Sequence, residues 1–562
     1  MKTTPFYSAP HHLRVRRPIP LLLPILLLIP AACGLLNAAD SAPPLPPIQS
    51  VTIGPNREFL VNGKPFLPIG GWLQQSDIAA PMKEIGINTM CGYWRNEQGA
   101  GELGSADKYA EAVWKSGLYF VPTFESKHPD EMARMKGAPY LLSWLHGDEP
   151  DLPNKKSDAV FTCKLNINPS RPLNLLTDGN PKTSAVLAPM AGAEVTIRYP
   201  KPATVTRLAL GNGTDGLKAS EVAVVVDGKE ICRGTLPDTV DMKSFDLPAP
   251  VTLQELTLKI LAIHEMPAGQ PPPNWGTFAG VDGFDASGAN VLRCEVRLVP
   301  QQDPMDTLKT YKEIKAFDPT RPVWVTFSSM FLEDFYDSSW FTTAQARALY
   351  PQYVTASDVF GIDIYPIYGW NQPQNIQWVS KATQKQRELV GPGKPVYQWI
   401  ETTPGNFGSN SKPVTGMEIR NEVYQALASG CTAIGYFTHT FQPKFSSFSP
   451  SEENKKALKE LNAEITRLAP SLLGADAPVQ PAMTLEGGLP SLCHAKETAG
   501  EFTVIAINLD GKKRGGQGTI TWPGLKAGTV ITVQGEDRTF KSEEGKWTDS
   551  FEPLAVHVYQ FK

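Results

Sequence analysis

Short apolar runs of strand length alternate with helix-like segments in two parts of the chain, residues 50–157 and 301–470. Strands and helices that alternate at this spacing predict parallel βαβ units. The runs that we predict as strands lie at Phe66, Ile87, Leu118, Leu141, Val323, Val359, Val396 and Ala433. Eight such units predict an α/β fold, the (β/α)8 TIM barrel.

Two further regions, residues 158–300 and 471–562, have an all-β pattern of short strands separated by Gly, Pro and Asn. They predict a jelly-roll-like domain inserted after the fourth barrel strand and a C-terminal β-sandwich. The barrel reaches eight strands only when the insert is set aside. Cys163 and Cys294 lie near the two ends of the insert, and we expect either a disulfide at its base or two unrelated buried thiols.

The N-terminal segment has the pattern of an export signal. Arginines at positions 14–17 precede an apolar run interrupted by prolines, and small residues follow. We therefore predict a signal peptide over residues 1–39, cleaved after Ala38 or Ala39, with lipidation at Cys33 as the alternative, and a Pro-rich linker over residues 40–49. The protein is accordingly expected to be exported: periplasmic, attached to the outer membrane, or secreted.

The bulk composition is that of a globular protein, with 41% hydrophobic and 20% charged residues. A formal net charge of -4 gives no basic field, which argues against a nucleic-acid partner. No integral membrane partner is implied. No CxxC or Cys/His spacing indicates a metal site, and no cofactor is expected for catalysis.

The fourth predicted strand ends in two adjacent carboxylates. The stretch Tyr140-Leu-Leu-Ser-Trp-Leu-His-Gly-Asp-Glu-Pro-Asp151 is an apolar run followed at once by acids. Pro150 has no N–H and should end the strand, which leaves Glu149 at the rim of the sheet. The alternative is a solvated acidic turn that caps a helix.

Glu401 ends the seventh predicted strand, across the barrel from Glu149. Active sites of TIM barrels lie at the carboxyl ends of the strands. Two carboxyl groups there suit cleavage of a glycosidic bond: a gap of about 5–5.5 Å implies retention of configuration, and about 6.5–9.5 Å implies inversion. The alternative for Glu401 is a structural ion pair with a barrel arginine.

The runs at 59–72 and 141–150 carry a resemblance to a known group of enzymes. Phe-Leu-Val-Asn-Gly-Lys-Pro-Phe-Leu-Pro-Ile-Gly-Gly-Trp resembles the lead-in of the clan A glycoside hydrolases, and Leu-Leu-Ser-Trp-Leu-His-Gly-Asp-Glu-Pro resembles their fourth strand. The resemblance implies a TIM-barrel glycosidase in which Glu149 is the acid/base and Glu401 the nucleophile. Tyr365, at the end of strand six, matches the hydrogen-bond donor to that nucleophile.

One position departs from this pattern. Asp148 stands where the clan usually has Asn, and adjacent Asp-Glu is similar to the substrate-assisted hexosaminidases, in which the Asp orients a 2-acetamido group and the Glu is the general acid. Under that alternative Glu401 would bind substrate. Adjacent carboxylates should raise one pKa, which suits a proton donor in either mechanism. Asp363 alternates with Tyr365 and is expected in a polar layer of the barrel interior, or else behind the catalytic acids.

The insert also resembles a known family, the factor 5/8 type C or discoidin-like domain. The matching runs are Asn-Leu-Leu-Thr-Asp-Gly-Asn-Pro-Lys-Thr at 174–183 and Trp-Gly-Thr-Phe-Ala-Gly-Val-Asp-Gly-Phe-Asp-Ala-Ser-Gly at 275–288. The resemblance implies Asp178 as a candidate ligand of a structural Ca²⁺. Both a sugar-binding role and a purely structural one remain open for this domain.

Several aromatic and histidine side chains lie at or near predicted strand ends, where sugar rings could stack on them. We predict substrate contacts for Trp72, Tyr93, Trp94, His146, Trp370, Trp399 and His439. The sequence thus predicts an exported glycoside hydrolase that cleaves a poly- or oligosaccharide with retention through two glutamates. The alternatives are a substrate-assisted N-acetylhexosaminidase that uses Asp148 and Glu149, and a non-catalytic glycan-binding surface protein.

Overall fold

The computed structural model describes residues 45–166, 168, 171–265, 273–328, 341–403, 413–441 and 444–562. The predicted signal peptide and Cys33 lie outside these residues, as do residues 40–44 of the predicted linker. None of the helices in the described part of the chain is both long and apolar enough to cross a membrane.

Eight parallel strands form one barrel, as predicted. In spatial order they are Tyr119–Val121, Thr89–Cys91, Ile69–Trp72, Ala433–Phe437, Val396–Glu401, Val359–Asp363, Val323–Phe327 and Trp144–Asp148. Parallel bridges from Phe120 to Leu141 and from Thr123 to Leu145 join the third strand to the segment of the fourth and close the barrel. We number these strands one to eight in chain order.

Helices cover the barrel between the strands. Their bounds are Ala79–Glu84, Ala106–Lys115, Pro129–Met135, Pro304–Phe317, Thr343–Tyr353, Trp378–Val390, Gly416–Ala428 and Glu452–Leu472. Capping boxes begin two of them: Thr342 with Gln345, and Thr415 with Glu418. Each box satisfies helix N–H groups that would otherwise lack partners.

The first barrel strand begins later than predicted. Lys64–Phe66 pairs with Phe59–Val61 through the expected Asn-Gly turn, and Val51–Ile53 completes this small antiparallel sheet. Phe66 therefore belongs to the hairpin, and the barrel strand starts at Ile69, because the intervening Pro68 cannot donate to a sheet ladder.

Large aromatic side chains fill the barrel, and glycines on neighbouring strands make room for them. A Cβ atom on Gly361 would lie 2.0 Å from the Tyr397 ring, and one on Gly435 would lie 2.2 Å from the Trp399 ring. Tyr397 also packs against Trp324, with ring centroids 4.7 Å apart. The rings fill the space that the glycines leave, so the barrel interior is closely packed below the strand ends.

The insert leaves the barrel after strand four through two paired strands, Pro153–Ser157 and Val296–Pro300. Its own sheet has seven strands: Val160–Cys163, Ala185–Leu187, Glu194–Gly216, Ala219–Val226, Lys229–Thr235, Lys243–Ile263 and Gly276–Phe284. The buried apolar residues of this sheet form a core of their own.

The expected disulfide of the insert is absent, because Cys163 and Cys294 are both free thiols. Cys163 pairs in the sheet opposite Val195, whereas Cys294 is held by its backbone N–H against the Thr177 carbonyl, 2.8 Å away. The two residues thus belong to different parts of the insert's base.

The C-terminal region packs two antiparallel sheets around a third core. The larger contains Ala475–Asp476, Ser491–Thr498, Glu501–Asn508, Val530–Val533, Thr539–Lys541 and Val556–Phe561, and the smaller contains Ala482–Leu485, Gly516–Thr521 and Lys546–Phe551. This is the predicted closing sandwich.

The glycine of strand six offers a test of the barrel interior. We expect Gly361→Ala to lower the free energy of unfolding by about 1–3 kcal/mol, because the new methyl group overlaps the Tyr397 ring. Urea unfolding followed by tryptophan fluorescence measures the loss. Gly393→Ala is the matched control, since no atom lies within 4 Å of its Cβ position, and an equal loss in both variants would contradict this packing.

Candidate functional site

The candidate site lies at the carboxyl end of the barrel, where a β-bulge turns the end of strand four. Leu145 pairs with Trp324, but the next pair joins Asp148 to Thr326, so three steps on strand four face two on strand five. Such a bulge re-aims the following side chain. Thr326 binds Tyr397 inside the barrel, so its in-register neighbour Asp148 faces the interior side.

Glu149 follows the bulge in an unusual backbone conformation. Its φ is +40°, a region that costs a non-glycine residue on the order of 1 kcal/mol. Its N–H donates to the Thr326 carbonyl at 3.0 Å, which ties the turn to strand five. The expected position of Glu149 just beyond a strand end is confirmed, since strand four ends at Asp148.

The carboxyl groups of Glu149 and Asp363 are close neighbours, and each influences the pKa of the other. Asp363 ends strand six and pairs in register with Trp399, which lies inside the barrel. Its Oδ1 also accepts a hydrogen bond from the Tyr365 hydroxyl at 2.8 Å. Because two adjacent buried anions repel each other, this pair favours the retention of one proton.

The surroundings of the pair favour a proton on Glu149. Burial raises its pKa well above the usual range, and the charges of Asp363 and Asp148 raise it further. Burial also raises the pKa of Asp363, to about 7, although the hydrogen bonds from Tyr365 and Glu149 favour its ionised form. These effects favour Glu149 as the protonated member of the pair and Asp363 as the ionised one.

Asp148 is the open carboxylate of the group. Its side chain is exposed to solvent, and no other side chain in the described part of the chain hydrogen-bonds to it. The surrounding protein raises its pKa, as do the charges of Asp363 and Asp151.

Asp151 anchors the turn that carries these acids. It is fully buried and accepts three hydrogen bonds: from Ser328 N at 2.9 Å, from Ser328 Oγ at 2.7 Å and from the Tyr350 hydroxyl at 2.6 Å. Burial raises its pKa to about 6 against the opposing effect of these donors. The turn after strand four is thus tied to strand five and to the helix Thr343–Tyr353.

Glu401 ends strand seven, as predicted, but its carboxyl group is fully buried and does not join the Glu149 pair. It accepts from the backbone N–H groups of Ile367 at 2.7 Å, of Tyr368, and of Gly369 at 3.3 Å. Burial raises its pKa to about 7, and these three donors oppose the rise.

Two expectations about the surroundings of Glu401 need correction. Tyr365 donates to Asp363 and not to Glu401, because the chain turns after Tyr365 and presents backbone N–H groups to the glutamate. The alternative ion pair with an arginine is also absent from the described residues, since those N–H groups occupy the carboxylate. The nucleophilic role of Glu401 stays a prediction.

The side chains that we predicted to contact sugar fall into a half-buried group and a buried group. Trp94 and Trp370 are half-buried, and Trp94 lies 5.4 Å from the His439 ring. The others are buried: Trp72, Tyr93, His146, Trp399 and His439. Partial exposure leaves only the two half-buried tryptophans with open surface for a substrate in this conformation.

The buried members of this set have partners within the protein. Trp72 and Trp399 pack on each other at 4.9 Å, and the Tyr93 hydroxyl donates to Glu125. His439 Nε2 lies 2.8 Å from the Leu73 carbonyl oxygen, and burial lowers its pKa to about 4.

His146 does not reach the barrel mouth. It precedes the bulge, and its ring lies against the backbone of Thr307 in the helix Pro304–Phe317 outside the barrel. Burial lowers its pKa, so it is neutral at pH 7. The alternation before the bulge places it on the outer face of strand four.

Sequence reasoning missed two exposed aromatic residues near the mouth. Phe441 and Phe445 follow strand eight, are 36% and 40% exposed, and lie 5.6 Å apart. Phe445 also contacts Trp94 edge to face at 5.7 Å. The only feature of the sequence that could have indicated a substrate contact for them is that they follow His439 closely at a strand end.

Asp178 accepts hydrogen bonds from residues of its own loop. Its oxygens accept from Asn180 N at 2.9 Å and from Thr183 Oγ1 at 2.6 Å. The described residues contain no cluster of three or more His, Cys, Asp or Glu arranged to hold a metal ion. Calcium binding at Asp178 stays a prediction.

Comparisons with known proteins give fold-level similarities at low identity. No family model matches the chain, and no curated protein matches it. The family 32 carbohydrate-binding module of C. perfringens NanJ in complex with galactose is 12% identical over 23% of this chain and 96% of its own, with a TM-score of 0.19.

Two solved glycoside hydrolases align with a larger part of the chain. The alpha-amylase of Geobacillus thermoleovorans complexed with acarbose is 13% identical over 47% of this chain and 58% of its own, with a TM-score of 0.33. A GH30 endoxylanase from Clostridium papyrosolvens is 13% identical over 47% and 61%, with a TM-score of 0.27. This chain thus spans about three fifths of the length of either enzyme.

The buried anchor Asp151 should contribute strongly to stability. We expect Asp151→Ala to lower the free energy of unfolding by roughly 2–4 kcal/mol, because three buried donors lose their acceptor. Urea unfolding measures the change. Asp158→Ala, which removes a half-exposed ion pair with Arg297, should cost at most about 1 kcal/mol, and equal losses would argue against the anchor.

Proposed function

We propose that this chain is a glycoside hydrolase in which Glu149 protonates the leaving oxygen. The observation that carries the proposal is the neighbouring Glu149 and Asp363 at the carboxyl end of a TIM barrel, beside the exposed Asp148; burial and the Asp363 charge raise the pKa of Glu149 well above its usual range. A carboxyl group that stays protonated near neutral pH is what a general acid requires. The resemblance to clan A enzymes supports glycosides as the substrate class.

In the proposed reaction the proton moves from Glu149 to the glycosidic oxygen. The bond from that oxygen to the anomeric carbon breaks, and its electron pair stays on the departing alcohol. Asp363 receives no proton in this step and stabilises the site by holding the Tyr365 hydrogen bond. A second group must then stabilise or attack the anomeric carbon.

Two candidates exist for that second group. The retaining mechanism with two glutamates uses Glu401, which would have to leave the three backbone N–H groups that it accepts. The substrate-assisted mechanism of an N-acetylhexosaminidase needs only an acid and a neighbouring carboxylate to orient the 2-acetamido group. The exposed Asp148 beside Glu149 favours this second candidate.

The sequence also supports export of the protein and stacking of tryptophans on the carbohydrate. The predicted signal over residues 1–39 supports export, with Cys33 as the alternative site of a lipid anchor. The half-buried Trp94 and Trp370 would stack on the carbohydrate. No cofactor is needed for the proton transfer. A non-catalytic glycan-binding protein is the alternative that activity measurements address.

Leaving-group dependence tests the role of Glu149. On a panel of aryl glycosides with and without a 2-acetamido group, we expect Glu149→Gln to lower kcat/KM by about 10²–10⁴-fold for poor leaving groups and much less for nitrophenols, which need little protonation. Glu544→Gln, exposed in the C-terminal sandwich, is the control. A uniform loss across leaving groups would argue against general acid catalysis, and preference for 2-acetamido substrates would support the substrate-assisted mechanism.

The pH dependence tests the role of Asp363. Activity requires protonated Glu149, so it should fall as pH rises through the pKa of this residue. The Asp363 charge helps to raise that pKa. Asp363→Asn removes the charge and should move the alkaline limb of the kcat/KM profile to lower pH. An unmoved limb, or one at higher pH, would show that Asp363 does not control Glu149.

A further inference from the structure

Two buried glutamates lie side by side behind the mouth of the barrel. Glu401 ends strand seven, and Glu422 lies in the helix Gly416–Ala428 that follows it. Both side chains are completely shielded from solvent, and each carboxyl group is near enough to influence the pKa of the other. Two neighbouring buried carboxylates without a cation favour the retention of one proton, because two adjacent anions repel each other.

Glu401 is the ionised member of the pair. The N–H groups of Ile367, Tyr368 and Gly369 all point at its two oxygens. These N–H groups open a helical turn in which Gly369 N and Trp370 N donate to the Tyr365 carbonyl at 3.1 and 3.0 Å. Three N–H donors aimed at one carboxyl group favour its ionised form.

Glu422 is the protonated member. No donor from the described residues reaches either of its buried oxygens, so an ionised Glu422 would be unpaired and next to a second anion. Burial is the main cause that raises its pKa, followed by the charge of Glu401 and then that of Glu418. Glu418 itself pairs with Lys513 at 2.8 Å, and the Tyr368 phenol lies near Glu401.

We propose that Glu401 and Glu422 act as a one-proton pair that fixes the turn after strand six, and that Glu401 is thereby a positioning residue for Tyr365. The turn begins at Tyr365, whose hydroxyl donates to Asp363, the partner of Glu149. The effect on catalysis rests on the proposed function. The shared proton does not, and it is tested without a substrate.

The substrate-free test follows stability against pH. In the unfolded chain a glutamate loses its proton near pH 4.3, whereas folded Glu422 keeps it to higher pH, so stability falls as pH rises above about 4.3. Glu422→Gln still donates to Glu401 but cannot ionise. The ratio of the unfolding constants of wild type and variant should therefore rise by up to tenfold per pH unit between about pH 5 and 7.

A matched control keeps this test specific. Glu460→Gln removes an exposed glutamate from the helix Glu452–Leu472 and should leave the ratio independent of pH. A flat ratio for Glu422→Gln would overturn the shared proton, whether or not any glycosidase activity is found. The measurement is urea unfolding of the full chain at each pH.

The positioning role is tested by a double-mutant cycle on the best aryl glycoside of the panel. If Glu401 acts through Tyr365, Glu401→Gln, Tyr365→Phe and the double variant should lose similar amounts of kcat, while Glu422→Gln keeps most of it. If the fold-losses in kcat of the two single variants multiply in the double variant, Glu401 does not act through Tyr365 and the positioning role is overturned. Recovery of Glu401→Ala activity on addition of azide would also overturn it, since azide replaces a missing nucleophile and not a missing positioning group.

Discussion

The site depends on one constraint: carboxyl groups are concentrated at one end of the barrel without a cation to neutralise them. Six such groups lie at or near the ends of strands four, six and seven or behind them: Asp148, Glu149, Asp151, Asp363, Glu401 and Glu422. None of them forms an ion pair with another described residue. Each must instead meet water, accept N–H or O–H donors, or share a proton, because an unpaired buried charge is too costly.

The inserted domain is tied to the same turn that carries Glu149. Gln302 N donates to the Pro150 carbonyl at 2.8 Å, and Gln301 N donates to the Leu152 carbonyl at 2.6 Å. The chain that returns from the insert thus holds the chain that enters it, directly after the acids. An insertion at this point therefore reinforces the left-handed conformation of Glu149, which backbone preference alone would disfavour.

The sequence predicted the barrel because eight apolar runs are a strong periodic signal, and it predicted Glu149 because Pro150 marks a strand end. It could not predict the bulge after Leu145, which depends on pairing with strand five and places Asp148 on the opposite side of the strand from His146. It also placed Glu401 at a strand end correctly. What covers that end is a turn from strand six, and strand periodicity carries no information about it.

The distribution of protons gives the two glutamates different chemistry at equivalent places in the fold. Glu149 has an acidic partner that raises its pKa, and its carboxyl group accepts no backbone hydrogen bond from the described residues, which suits its proposed role as proton donor. Glu401 has three backbone donors, which engage the lone pairs of its carboxyl group and oppose the rise in pKa that burial causes. The hydrogen-bond donors around a strand-end glutamate therefore determine its role. The strand on which the glutamate lies is not enough to predict that role.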